Sequence, residues 1–239
     1  MEATRYGLDH QRFLSYVIKE GCLQTSRALE ICKNFDIDSI KNEKGLKCFI
    51  QTINERIGTY SMHISVINCE ITGISYVVLN DMANDDISRM QKGFKPIELK
   101  YFEMIVKKIF CSKSKQLLIN QCLNYSSTLP VKISITDAEV LLEKWKNLGY
   151  FVLNDDMVYL GVRCLSEFAP FFWKYCENYV KRCELCSELV VKGRSCASCK
   201  VTIHGYCLNN FSRQEKCPHC NNDWQDIEQS NEDTSSEEE

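Results

Sequence analysis

Eight residues suited to binding a soft divalent metal fall between positions 183 and 220, in the order Cys183-x2-Cys186-x9-Cys196-x2-Cys199-x4-His204-x2-Cys207-x9-Cys217-x2-Cys220. They form four pairs, each with two residues between its members. That spacing lets two donors reach one ion from a single tight turn, and a closed tetrahedral zinc site takes two such pairs. Four pairs therefore predict two zinc ions. Loops of nine, four and nine residues leave little room for two independent ribbons, so interleaved pairing is expected. Cys183, Cys186, His204 and Cys207 would hold the first zinc, and Cys196, Cys199, Cys217 and Cys220 the second. His219, inside Cys217-Pro218-His219-Cys220, is read as a spare, non-ligating imidazole, because two thiolates already satisfy that pair.

Disulfides are the competing use of so many cysteines. The N-terminus has no signal-peptide pattern, and no apolar run approaches the roughly 18 residues of a membrane span. No export route and no membrane are expected, so the thiols are expected to stay reduced, in cytosol or nucleus. Cysteines 22, 32, 48, 69, 111, 122, 164 and 176 lie outside the paired pattern, and most are read as small core residues. A chain of 239 residues has room for two or three small domains, and 44% hydrophobic with 26% charged residues is the composition of a globular protein. The net charge of −3 excludes a general basic field that would draw the chain to nucleic acid.

The elements that must present the metal-binding stretch come earlier in the chain. From Asp9 to Glu20, Phe13, Leu14, Val17 and Ile18 predict an amphipathic helix that Gly21 ends. Thr25 or Ser26 would cap a second, with Leu29, Ile31 and Cys32 inward. A third is expected after Asp38-Ser39, burying Leu46, Phe49, Ile50, Ile53 and Ile57. The period then switches to two. Met62, Ile64 and Val66 alternate with polar residues, Thr72-Gly73 turns, and Ile74 to Leu79 returns. His63 falls on the polar side of its strand and is read as a surface histidine. Three helices with a two-stranded wing predict a winged helix over 1–80, followed by a polar linker over 81–95.

The pattern then recurs over 96–161. Pro96 opens a helix with Leu99, Phe102, Val106, Ile109 and Phe110 inward. A short element follows at Leu117 to Leu123. Thr136 and Glu139 read as a capping box for a helix burying Val140, Leu141, Trp145 and Leu148, which Gly149 closes. Tyr150–Leu153 and Met157–Leu160 form a second hairpin. Residues 162–182 (Leu165, Phe168, Phe171, Phe172, Trp173, Tyr175 and Tyr179) read as an aromatic helical connector that Pro170 breaks or kinks, holding the zinc module rigidly against the second winged helix. The finger spans 183–224. Residues 225–239 form an acidic tail expected to be disordered, with Thr234, Ser235 and Ser236 as candidate phosphosites. The fold class is mostly α with small β hairpins: two tandem winged-helix units, then a two-zinc finger.

Charge decides what the winged helices bind. The third helix of the first unit sets Lys41, Lys44, Lys47 and Arg56 against Glu43 and Glu55. That of the second sets Lys144 and Lys146 against Asp137, Glu139 and Glu143. Neither is strongly basic, so protein docking is favoured and DNA contact is expected only weakly or indirectly.

Interleaved four-pair sites are the cross-brace of RING and PHD fingers. Tandem winged helices followed by a finger with four Cys, one His and three Cys resemble the first non-SMC element family, a subunit of the fifth-and-sixth-type structural-maintenance-of-chromosomes (SMC) complex. The resemblance rests on Cys183-Glu-Leu-Cys186, Gly193-Arg-Ser-Cys196-Ala-Ser-Cys199, His204-Gly-Tyr-Cys207 and Cys217-Pro-His-Cys220-Asn-Asn-Asp-Trp224, and covers the chain up to its tail. It implies a nuclear, chromosome-associated protein of double-strand break repair by homologous recombination. It implies partnership with a MAGE-family subunit and a kleisin subunit, and RING-type ubiquitin ligase activity assisted by the MAGE partner.

A RING docks a ubiquitin-charged conjugating enzyme and orders its thioester, so its contribution is positioning. An apolar residue between the first two ligands and a Pro in the last pair serve that docking; Leu185 and Pro218 stand there. No residue is assigned a covalent catalytic role. Where RING ligases often carry a basic residue after the last ligand, this chain has Asn221. Where PHD fingers carry a Trp two residues before the seventh ligand, it has Glu215, and its Trp lies beyond, at Trp224. The expectation is a ubiquitin ligase subunit, weak alone. The alternative is a non-enzymatic structural subunit whose finger only stabilises the assembly.

Overall fold

The computed structural model describes residues 6–37, 40–82, 93–175, 180–211 and 215–223. Asp38-Ser39, most of the expected linker, Trp224, the acidic tail and its candidate phosphosites lie outside these residues. The chain divides into two compact units, Met1–Val180 and Lys181–Glu239. No helix among the described residues is long and apolar enough to cross a membrane.

The first unit opens with α1 (Leu8–Glu20), β1 (Cys22–Gln24), α2 (Thr25–Asn34), α3 (Glu43–Ile57), β2 (Met62–Asn68) and β3 (Ser75–Asp81). The strands form an antiparallel sheet in the order β1-β3-β2. All five apolar residues expected on α3 are buried, and with Phe13, Val17, Ile31 and Cys32 they make the core beneath the sheet. Asn42 caps α3, its Oδ1 accepting the Gly45 N–H at 2.9 Å. At the outer edge of the sheet the Asn54 amide acts as a short surrogate strand. Its Nδ2–H donates to the Ile64 carbonyl and its Oδ1 accepts the Ile64 N–H, both at 2.8 Å, which covers part of an otherwise open edge.

The same order returns as α4 (Pro96–Cys111), β4 (Leu117–Leu118), α5 (Ile119–Tyr125), α6 (Ile135–Asn147), β5 (Phe151–Asn154) and β6 (Met157–Leu160), with sheet order β4-β6-β5. Each half thus has the helix–strand–helix–helix–strand–strand order of a winged helix. The short third strands β1 and β4 were not expected; three and two residues are too short to carry a period. The second core is aromatic. Trp145 sits fully buried among Tyr101, Phe102 and Phe151, with ring centroids 5.2 to 6.0 Å away.

Four local expectations need correction. Ser134, not Thr136, caps α6, its Oγ accepting the Asp137 N–H at 3.1 Å. Gln24 occupies the cap position of α2 without a side-chain bond, while Thr25 lies inside the helix and donates to the Ser75 hydroxyl at 2.8 Å. Ile18 and Val140, expected in the core, are 53% and 63% exposed. The apolar stripes of their helices are narrower than the sequence suggests, and residues one position further round face water. Cys48 and Cys111 are exposed as well, whereas Cys32, Cys69, Cys122 and Cys164 are buried.

The aromatic run from Val162 forms two helices, α7 (Val162–Glu167) and α8 (Ala169–Tyr175), with Pro170 in the first turn of the second. Phe168 packs against Phe102 and Tyr150, and Phe172 stacks on Phe110 at 4.5 Å, which fastens both helices to the second winged helix. The other face of α7 lies on β3 and β2 of the first. Val162 there joins Cys69 and Val78 in a small apolar cluster. Tyr175 and Tyr179 have no described side chains, and 176–179, through which the rigid mounting of the finger was expected, fall outside the described residues.

A buried polar triad closes this joint. Glu167, 6% exposed, accepts the Arg163 Nε–H at 2.6 Å and the Tyr150 hydroxyl at 2.8 Å, and the Arg163 guanidinium lies 4.7 Å from the Tyr150 ring centre. Burial pushes the Glu167 carboxyl above its ordinary range, and Arg163 pulls it back. Gly149, at φ +82°, is required beside it, since a Cβ there would come within 2.9 Å of the Cys22 sulfur. Glu167→Ala leaves a partly buried guanidinium without its carboxylate and is expected to cost about 2–4 kcal/mol. The check is the denaturation midpoint of the helical signal, with bound zinc unchanged.

Candidate metal centre

Three of the four ligand pairs sit on turns of one design. In each, the residue after the second cysteine has a left-handed backbone: Ser187 at φ 62°, Lys200 at 65° and Asn221 at 59°. Its N–H donates to the carbonyl of the first cysteine, at 2.8, 3.0 and 2.9 Å. The first cysteine's own N–H closes the loop onto the carbonyl five residues on (Glu188, Val201 and Asn222), each at 2.9 Å. A turn this tight points two thiols to one side. The fourth pair is built differently. His204 ends strand β10 (Thr202–His204) and stands at the cap position of helix α9 (Gly205–Asn209), and Cys207 follows in the helix.

The framework is small. Strand β7 (Lys181–Arg182) pairs with β8 (Leu189–Val190), and β9 (Gly193–Ser195) pairs with β10. Gly193 lets two chains meet, because a Cβ there would lie 2.6 Å from both the Ile203 carbonyl oxygen and a Val190 methyl. The apolar core is Val190, Ile203 and Leu208 packed around Cys183 and Cys207. So few buried aliphatic side chains, with Leu189 and Val191 beside this cluster, bury too little surface to hold such a fold, which therefore depends on cross-links of another kind.

The ligands supply them. Cys183, Cys186, His204 and Cys207 form one cluster and Cys196, Cys199, Cys217 and Cys220 another, the ligand atoms in each within 4.8 Å of one another. The pairing is the interleaved one. Two sulfurs bound tetrahedrally at zinc distance must lie about 3.8 Å apart. Cys196 to Cys220 is 3.7 Å and Cys199 to Cys217 is 3.6 Å, far outside disulfide length. In the other cluster His204 Nδ1 is 3.4 Å from the Cys186 sulfur and 3.8 Å from that of Cys207. The opposite ring nitrogen, Nε2, donates to the Leu189 carbonyl at 2.9 Å, which fixes the tautomer and turns Nδ1 toward the metal position.

Electrostatics completes the fit. Backbone N–H groups of Cys199 and Ser198 pull the Cys196 thiol down to about 6, so one ligand ionises readily. Burial and then the neighbouring Cys183 and Cys186 push Cys207 up. Thiolates gathered this closely oppose one another's ionisation until a divalent cation offsets them. These donors fit two zinc ions. His219 belongs to neither cluster; it contacts Glu184 instead, at 2.9 Å.

Among the expected docking residues, Leu185 is 37% exposed in the middle of the first knuckle, and Pro218 is half-buried in the third. Glu215 and Asn221 are exposed, and His63 lies on the outer side of its strand, also exposed.

Residues 183–220 match the RING-like domain family. Beyond the finger, the chain is 26% identical over 201 residues to the non-structural maintenance of chromosomes element 1 homolog of Drosophila melanogaster, covering 81% of this chain and 84% of that one. The Homo sapiens homolog is 25% identical over 227 residues, with 90% and 83% covered. The chain is similar to the non-structural maintenance of chromosomes element 1 homologs over most of its length. Its fold is also that of a chain in the solved Nse1-Nse3-Nse4 complex, with a TM-score of 0.74 at 21% identity, covering 92% of this chain and 97% of that one. The likeness to this family thus extends through the N-terminal unit as well as the finger.

Cys183→Ala opens the first site and is expected to unfold the finger while the N-terminal unit stays helical, because apparent zinc free energies of about 10–16 kcal/mol are folding free energy in such modules. Chelation should do the same. Calorimetry checks this: loss of one transition with the other intact is the expected outcome, and a single cooperative melt of the whole chain contradicts it.

Proposed function

We propose that this protein is the RING-type subunit of an SMC complex, and that its finger docks a ubiquitin-charged conjugating enzyme while its winged helices hold a MAGE-family partner. The observation that carries the reading is the exposure of Leu185 on a two-site, interleaved finger of the RING-like family. An apolar side chain held at the tip of a metal-fixed turn is a preorganised contact, and metals make its position independent of a large core. Such a finger contributes no covalent step; it orders the thioester for attack by a substrate lysine. The relatives' name and the likeness to a chain of the Nse1-Nse3-Nse4 complex support a MAGE-family and a kleisin subunit as partners. A nuclear, chromosome-associated role in break repair by homologous recombination, which the sequence resemblance implies, is part of the same proposal.

The N-terminal unit supports protein docking. Val131, Ile135 and Val140, before and on α6, are 57 to 64% exposed, whereas Lys47 and Lys146 are engaged by Glu43 and Glu143 at 2.7 and 3.1 Å. An apolar helix surface with neutralised lysines suits a protein better than a phosphate backbone. A second reading, a structural subunit without transfer activity, is favoured by one observation: the residue after the last ligand is Asn221, in a left-handed turn, with no basic side chain to hold ubiquitin.

Ubiquitin discharge from a charged conjugating enzyme separates the two. The expected outcome is weak discharge by the chain alone, stimulation with the MAGE-type partner, and a loss of about tenfold or more on Leu185→Ala with both zincs retained. No stimulation across a panel of conjugating enzymes would leave the structural reading.

A further inference from the structure

The first and third knuckles share one backbone design, so their middle residues correspond by position: Glu184 with Pro218, and Leu185 with His219. The two knuckles serve different metal sites. Coordination shapes each tip, but the spacing between the tips depends on what crosses from one to the other. A side-chain contact does. The Glu184 carboxylate accepts the His219 Nδ1–H at 2.9 Å. Glu184 is itself anchored, its N–H donating to the Thr202 carbonyl at 3.1 Å, beside the bridge that Cys183 makes with Thr202. The two side chains are 39% and 53% exposed. A pair so open to water adds little to folding, and the finger is already held by its metals. Its chain neighbours are Leu185 and Pro218.

We propose that Glu184–His219 is a positioning clasp for the docking face: it fixes the tip of the first knuckle to that of the third, so that Leu185 and Pro218 meet the conjugating enzyme at one set spacing. The inference rests on the docking role given to that face above. Glu184 and His219 act through Leu185 and Pro218, so they set how tightly the charged enzyme is held and leave the discharge step unchanged.

The test uses the full chain in complex with its MAGE-type partner and measures discharge against the concentration of charged conjugating enzyme. Glu184→Ala and His219→Ala are each expected to raise the half-saturating concentration about two- to fivefold at unchanged maximal rate. Two zincs should remain bound. The double variant should be no worse than either single one, and the exchanged pair, Glu184→His with His219→Glu, should recover most of the loss. Unchanged saturation in the single variants, while Leu185→Ala still lowers discharge about tenfold or more, overturns the clasp and leaves the docking reading standing. Loss of zinc in either variant makes the pair structural and overturns its positioning role. No discharge by the unsubstituted complex overturns the docking reading, and the clasp with it.

Discussion

The finger depends on one constraint: each metal position draws its ligands from pairs that are not neighbours in sequence. The first site takes its donors from 183–186 and 204–207, and the chain between them supplies half of the second. The two sites are interleaved along the chain, so each closes a loop that carries ligands of the other. This is why a core as small as the cluster of Val190, Ile203 and Leu208 with its few aliphatic neighbours suffices. It is also why Leu185 can stand exposed on a two-residue tip without collapsing inward. The ligand groups that would hold the fold are also the ones that set Leu185 at the tip of its turn.

The N-terminal unit works by the opposite physics. It has large apolar cores, and its distinctive feature is α7, which fastens to the second winged helix through its aromatic neighbours and lies on the sheet of the first. The Arg163–Glu167–Tyr150 triad there is costly to desolvate and well satisfied, and it ties α7 to Tyr150 of the second winged helix.

The metal centre was legible because its signal is chemical. Cysteine and histidine at two-residue spacing have few other uses, and short loops leave interleaving as the economical topology. The helices were legible by period, and α3 buries all five residues its spacing picks out. What was missed shares a cause: it depends on tertiary neighbours or on very short segments. Strands β1 and β4 exist because a longer strand lies beside them. Val140 and Ile18 sit at the margins of their stripes, where packing alone decides the side. Ser134 caps α6 because the helix begins two residues earlier than a cap at Thr136 would place it, a shift that the capping-box pattern at 136–139 concealed. The Glu167 triad and the Glu184–His219 contact join residues from separate elements, and neither has a sequence signature.

The central claim is that two zinc ions share seven thiolates and one imidazole in interleaved sites. Zinc X-ray absorption on the intact chain, with the metal counted by native mass spectrometry, tests it most directly. The expected result is two zincs per chain and an average shell of about 3.5 sulfurs at about 2.3 Å and 0.5 nitrogen at about 2.0 Å. A single zinc, or two zincs with an all-sulfur shell, would contradict it.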